Sequence, residues 1–425
     1  EVVIHHKKKI VAQIPTSALS DQTPITYHQI ISNTPSCLLD KWKWDERNLP
    51  EINNNGLFSL KFEKLFSWND IILHLLSTPS ISSKKWVYNQ FDYQVQLNTV
   101  FKPGQSDAAV IRLRSQNEKI KAKKYTGIAA SVDCNNRWVS LDPLRGTIAA
   151  VAESARNVSC VGANPVAITN NLNFSSPETD IGYWQLALSC EGISKACEIL
   201  ETPVTGGNVS LFNESKDEKG DTTPIHPTPV IGMVGVIDDS DKAVSSGWKN
   251  IDDEIWIIGS NLSETTLGAS SYLEYFHGQV TGRPPEINLE HEKICQEIIR
   301  NSINKEYIVS CHDISDGGLS IALAECSIVS GLGSKINLEG NVREDKLLFG
   351  EGGSRMIFSI DSNKKDSWLN YLMEINKKIE DNIFINKIGV VSFDKLKIKY
   401  LNKFICDLKV SALADKFNNG IIKNF

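Results

Sequence analysis

Five short stretches carry residue types that could do chemistry. The densest is Thr205-Gly206-Gly207-Asn208-Val209-Ser210. Adjacent glycines let a backbone approach an anion closely, and free N–H groups in such a turn can cradle phosphate. Asn208 offers a hard oxygen of the kind Mg²⁺ prefers. Ser210 offers a hydroxyl to phosphate. The same string also reads as a plain turn between Val204 and Leu211.

A second stretch runs Val132-Asp133-Cys134-Asn135-Asn136-Arg137, then Leu141-Asp142-Pro143. Asp133 and Asp142 suit a metal or a ribose, and both are equally ordinary as turn-makers and helix caps. The third, Ile168-Thr169-Asn170-Asn171-Leu172-Asn173, places Asn side chains at a strand end, where they can meet a purine edge or a metal-bound water. In the fourth, His312-Asp313-Ile314-Ser315-Asp316-Gly317-Gly318, a His-Asp pair suggests acid–base work and a Gly-rich helix start suggests an anion. Plain capping explains the same residues, and His312 is read as structural. The fifth, Gly350-Glu351-Gly352-Gly353-Ser354-Arg355, reads as an anion-binding turn anchored by Arg355, or as a tight turn before a strand. No nucleophile elbow, Walker A loop, G-x-G-x-x-G or H-E-x-x-H string occurs.

These stretches need elements to hold them. Residues 145–162 form an amphipathic helix, with Ile148, Val151, Ala152, Ala155 and Val158 on one face. Residues 183–200 form a second helix, ended by Thr202-Pro203. Residues 229–237 and 254–259 read as buried strands, and residues 313–330 as a helix capped by polar residues. Residues 1–13 read as a strand and turn whose partners belong to an upstream domain. The chain of 425 residues allows about two or three domains. The expected division is 1–30 as the C-terminal edge of a missing upstream domain, 31–84 as a linker, and α/β domains at 85–245 and 246–425.

With 45 Lys+Arg against 51 Asp+Glu, the net charge is −6, and no long basic block is present. Wrapping around nucleic acid is therefore disfavoured. No apolar run approaches the roughly 18 residues of a membrane span, and there is no signal-peptide pattern. Nine scattered cysteines without a C-x-x-C pair argue for a reducing compartment, cytoplasm or a plastid-type organelle, rather than a disulfide frame or zinc site.

The strings DCNNRWVSLDP, AAVAESARNVSCVGANPVAITNNLNF, YWQ and TPVTGGNVSLFNE, all between Val132 and Glu214, resemble the second half of the phosphoribosylformylglycinamidine synthase PurL family. HPTPVIGMVGVI, HDISDGGLSIALAE, KKWVYNQFDYQV and the tail HHKKKIVAQIPTSAL extend the resemblance over nearly the whole chain. It implies an α/β (α+β) fold of tandem AIR-synthetase-like N-terminal and C-terminal domains preceded by a linker. It implies ATP- and Mg²⁺-dependent amidation of formylglycinamide ribonucleotide with glutamine-derived ammonia, in purine synthesis. The implied partners are the first half of PurL, the glutaminase subunit PurQ and the small subunit PurS. Carried over position by position, the resemblance assigns Gly207 and Asn170 to ATP, Asn208 to Mg²⁺ and Ser210 to the ribonucleotide. Asn170 stands where the family has an ATP-contacting Asp, so a negative charge is missing there. The turn at 350–355 departs from the family's Ser/Gln-rich turn. The catalytic histidines of the family lie in the first half, so none is expected in this chain. The alternative is a non-catalytic scaffold half that binds a structural nucleotide and docks the glutaminase.

Overall fold

The computed structural model describes residues 1–425 except 26, 28, 30, 32, 54, 55, 115–123, 379–382 and 423–425. At the N-terminal end, strands Val2–His6 and Lys9–Ile14 form a two-stranded hairpin with no buried residue. The expected linker region contains helix Trp68–Leu76 (α1). Ser67 and Asp70 close a reciprocal capping box at its start. Ile71, Ile72, Leu75 and Leu76 are fully buried against the C-terminal half of the chain. Each such side chain contributes roughly 1.5–3 kcal/mol by burial. This stretch therefore supplies core as well as connection.

The first sheet has five strands: Ala109–Arg112 (β1), Gly127–Asp133 (β2), Asn164–Asn173 (β3), Val204–Ser210 (β4) and Thr228–Ile237 (β5). Their order is β1-β2-β5-β3-β4, and only β3 and β4 run parallel. Helices Pro143–Cys160 (α2) and Asp180–Leu200 (α3) cover one face. Proline at the first helical position and the Asp142 cap, which accepts from Arg145 N at 3.0 Å, start α2. Asp142 is thus the cap that its position suggested, and its second oxygen holds Arg283 at 2.8 Å. A run of Ala and Val lets α2 lie close to the sheet. A Cβ on Gly235 would stand 2.3 Å from Val158 Cγ1, so only glycine permits that approach.

The second sheet has seven strands: Glu254–Gly259 (β6), Ile308–Asp313 (β7), Gly333–Leu338 (β8), Met356–Ile360 (β9), Phe384–Ser392 (β10), Lys395–Tyr400 (β11) and Lys403–Lys409 (β12). Their order is β7-β9-β6-β10-β8-β11-β12. β6 is buried at every residue because both its faces are covered. Ile255 and Ile257 join the core with α1 and helix Gly318–Ser330, while Trp256 and Ile258 join the core with helix Leu289–Asn304. We number these helices α4 (Leu289–Asn304) and α5 (Gly318–Ser330). The expected capped helix over 313–330 begins later. Asp313 belongs to β7, and α5 starts after Gly317, whose φ of 81° and lack of a side-chain cap show that Asp313, Ser315 and Asp316 do not cap it. The stretch therefore keeps its carboxylates free for other contacts.

Candidate functional site

The Thr205-to-Ser210 stretch is neither a phosphate loop nor a plain turn. It is the edge strand β4, exposed at nearly every residue. Its parallel pairing sets Asn170 beside Gly207, Asn171 beside Asn208, and Asn173 beside Ser210. Side chains alternate along a strand, so this register divides the expected site residues between two faces. Asn170 and Gly207 share the helix-covered side, in one row with buried Ile231 and with Asp133. Asn170 Oδ1 lies where a Gly207 Cβ would be, 1.6 Å from that position. Asn208 and Ser210 are on the opposite face with Asn171.

There Asn208 Nδ2 donates to Asn171 Oδ1 at 3.1 Å and to Ser210 Oγ at 3.2 Å. The amide is thereby oriented with Oδ1 outward, a hard oxygen suited to a cation. Toward β1, β2 and β5 this face is apolar and open: Ile111, Ile128, Val132, Val234 and Val236 are 36–72% exposed. Among the described residues no layer covers it. An apolar sheet face left in water is the signature of a surface built to be covered. As an edge strand, β4 also presents outward backbone N–H groups, which restores a route to phosphate without a loop.

Beneath the helix side lies a second constellation, where the two sheets meet. His312 (β7) bonds through Nδ1 to Asp107 Oδ1 at 2.7 Å and through Nε2 to Glu325 Oε2 at 3.2 Å. Asp107 Oδ2 accepts the backbone N–H of Asp313 at 2.9 Å. Asn157 Nδ2 donates to both oxygens of Asp133, at 3.2 and 3.1 Å. Arg156 lies 2.9 Å from Glu292 and 3.7 Å from Asp313. Asp133, Glu153, Asp316, Glu325, Asn135 and Lys84 line a cavity of about 460 Å³ beside it.

Burial drives the titration here. It pushes Asp133 up to about 6, and burial together with neighbouring Asp107 takes Asp313 to about 7. Burial also raises Glu153, helped by Asp133 and Asp313. Burial alone would lower His312, but Asp107 outweighs it and holds the imidazole well above its ordinary range. Ligand atoms of Asp107, His312 and Asp313 lie within 4.8 Å of one another, but both ring nitrogens of His312 are taken by carboxylates, so the imidazolium is itself the cation of this cluster. His312 is therefore tied into an ion-pair cluster at the domain seam. Asp107, Glu153 and Asn157 escaped sequence reasoning. The four-residue spacing of Glu153 and Asn157 on one helix face was the available signal.

The turn at 350–355 is closed to anions. Arg355 is fully buried and donates to the carbonyls of Gly352 and Gly350 at 3.0 and 2.7 Å. Glu351, also buried, accepts from Ser271 N and Gly317 N at 2.7 and 2.8 Å. Arg137 crosses the seam to Ala269 O at 2.7 Å and Glu274 at 2.8 Å.

Comparison with known proteins bears on these features. Residues 105–237 match the AIR synthase related protein, N-terminal domain, and residues 250–391 its C-terminal domain. Phosphoribosylformylglycinamidine synthase subunit PurL of Prochlorococcus marinus strain MIT 9312 is 66% identical over 99% of this chain, and that of strain NATL1A is 49% identical over 99%. The chain spans 54% of the length of each of these relatives. A structure of Thermotoga maritima PurL complexed with FGAR aligns over 84% of this chain and 54% of its own, with a TM-score of 0.61 at 17% identity. Thermotoga maritima PurLQS aligns over 68% of this chain and 45% of its own, with a TM-score of 0.53 at 20% identity. These likenesses are in fold.

Proposed function

The chain belongs to the AIR synthase related family, and from that premise we propose that it forms the C-terminal half of a phosphoribosylformylglycinamidine synthase. The observation that carries this reading is the open face of the first sheet, where Asn208 and Ser210 sit beside an uncovered apolar surface. Half a site on an unfinished surface calls for the other half of the enzyme to cover it. The exposed hairpin at 2–14 is the edge that the upstream domain would complete. On this reading the domains run 85–245 and 246–425.

The reaction makes an amidine from an amide. The γ-phosphoryl group of ATP passes to the amide oxygen of formylglycinamide ribonucleotide, the amide N–H proton is lost, ADP is released and an iminophosphate forms. Ammonia adds to the same carbon, the C–O bond breaks, and phosphate leaves with the oxygen, taking up one ammonia proton. Gly207 and Asn170 contact the nucleotide, and Ser210 Oγ donates to the ribonucleotide. Both faces of β4 are reachable from its free edge, so one ligand assembly can use all of them. Asn208 Oδ1 has no partner among the described residues and would hold Mg²⁺, which supplies charge neutralisation on the transferring phosphoryl group. The proton-transferring groups belong to the other half. Ammonia is supplied by a glutaminase, PurQ, with PurS as bridging subunit. Among the described residues no helix is long and apolar enough to cross a membrane. From the nine scattered cysteines we place the assembly in the cytoplasm or a plastid-type organelle.

The test is ammonia-dependent ADP release from Mg-ATP and formylglycinamide ribonucleotide, with this chain alone and mixed with a matching first half. Activity is expected only on mixing. Asn208→Ala and Ser210→Ala should each lower it at least tenfold, about 1.4 kcal/mol, with unchanged Tm. Full activity from this chain alone, or variants that turn over normally, would remove the composite site.

A further inference from the structure

The buried Arg137 and Arg156 come with carboxylates: Arg137 has Glu274, Asp316 and Glu351, and Arg156 has Glu292 and Asp313. Arg355, sealed in its turn, donates Nε and Nη2 to turn carbonyls, and its Nη1 has no partner among the described residues. Arg300 on α4 is half-buried and instead opens onto a cavity. Its Nη1 donates to Ser159 Oγ at 2.9 Å, and among the described residues no carboxylate lies within ion-pair distance. Burial lowers its guanidinium to about 10 in spite of Glu297. A cation partly withdrawn from water and without an ion-pair partner gains from an external anion.

Arg300 faces a cavity of about 210 Å³ between the start of β3 (Asn164, Pro165), the end of α3 (Leu200, Glu201) and α4. Lys293 lines the same cavity two helical turns earlier, on the same face of α4. Its bond to Glu201, at 3.0 Å, is to a side chain 77% exposed, so water screens it. Glu297 is likewise exposed at the rim. We infer that this cavity is a site for a phosphate-type dianion, anchored by Arg300 and seconded by Lys293. A guanidinium and an ammonium converging on one small space match two charges and a tetrahedral array of acceptor oxygens. Ser159 also approaches Gln296 Oε1 at 3.3 Å, and Gln296 donates to Glu292 at 2.8 Å, so the anchor is braced from α2 and α4 together. The competing explanation is that both cations merely complement the carbonyl end of α3.

The experiment is calorimetric titration of inorganic phosphate into the whole protein at constant ionic strength, with acetate as the monoanion arm. Wild type should bind phosphate saturably and more tightly than acetate. Arg300→Gln should weaken phosphate binding at least tenfold and Lys293→Gln several-fold. In phosphate-free buffer Arg300→Gln should leave Tm unchanged or raise it, because it removes a half-buried charge that has no ion-pair partner. Absent saturable binding, phosphate affinity unchanged in Arg300→Gln, or acetate bound as well as phosphate would each overturn the assignment. So would a lower Tm of Arg300→Gln in phosphate-free buffer, which would make the arginine a brace for α3.

Discussion

Gly207 shows how one residue can carry two requirements. In the sequence, glycine at this position allows close approach to a phosphate. The structure adds a second reason: the Asn170 side chain occupies the space of its missing Cβ. Gly207→Ala should therefore expel Asn170 from its place over β4. We expect a loss of about 1–3 kcal/mol in stability, the usual range for overpacking, measured by urea unfolding. Where the edge strand can shift outward to absorb the methyl, the effect should appear as weakened nucleotide binding with the same Tm. A variant with both properties intact would show that the Asn170–Gly207 contact is incidental. At Asn170 itself the neutral amide is written in the sequence, whereas its place on the helix side, apart from Asn208, is a product of strand register.

At the scale of elements, α1 is the instructive case. Proline-punctuated, polar flanking sequence makes residues 31–84 resemble a linker, yet Ile71, Ile72, Leu75 and Leu76 are all fully buried in the core with β6 and α5. Leu75→Ala should cost about 2–5 kcal/mol, the range for deleting a buried Leu, and a chemical denaturation curve reads it directly. A cost under about 1 kcal/mol would return the segment to the role of a surface strap. The strand pair β3–β4 makes a complementary point. A one-residue slip would move Asn208 and Ser210 to the other face of the sheet, away from Asn171, so the parallel register positions the expected ligands more than their own spacing does.

For the whole molecule the open apolar face decides what the chain can do alone. Val132 and Val234 face outward from β2 and β5 and are 72% and 38% exposed. Val132→Lys with Val234→Lys should leave the unfolding free energy of this chain within about 0.5 kcal/mol per site, as surface changes do. Assembly with the first half should be lost, as read by sedimentation of the mixture. Normal assembly of the double variant would show that the covering layer lies elsewhere.

Some of this was settled by the sequence alone. The helices over residues 143–160 and 180–200 and the strand over 228–237 are legible because their periodicity is local. Family membership is legible because long strings such as TPVTGGNVSLFNE are too specific to arise by chance. What the tertiary structure decided is everything that depends on contacts between distant residues. His312 meets Asp107 and Glu325 because β7, α5 and the loop before β1 converge. Asp313 is released from capping because β7 extends through it. Arg355 is withdrawn from ligands by its own turn. The two faces of β4 are assigned by a parallel register between segments some 37 residues apart. Side-chain type and local period are written in the chain, but burial, charge pairing and strand parity are properties of pairs of segments, and folding alone brings those segments together.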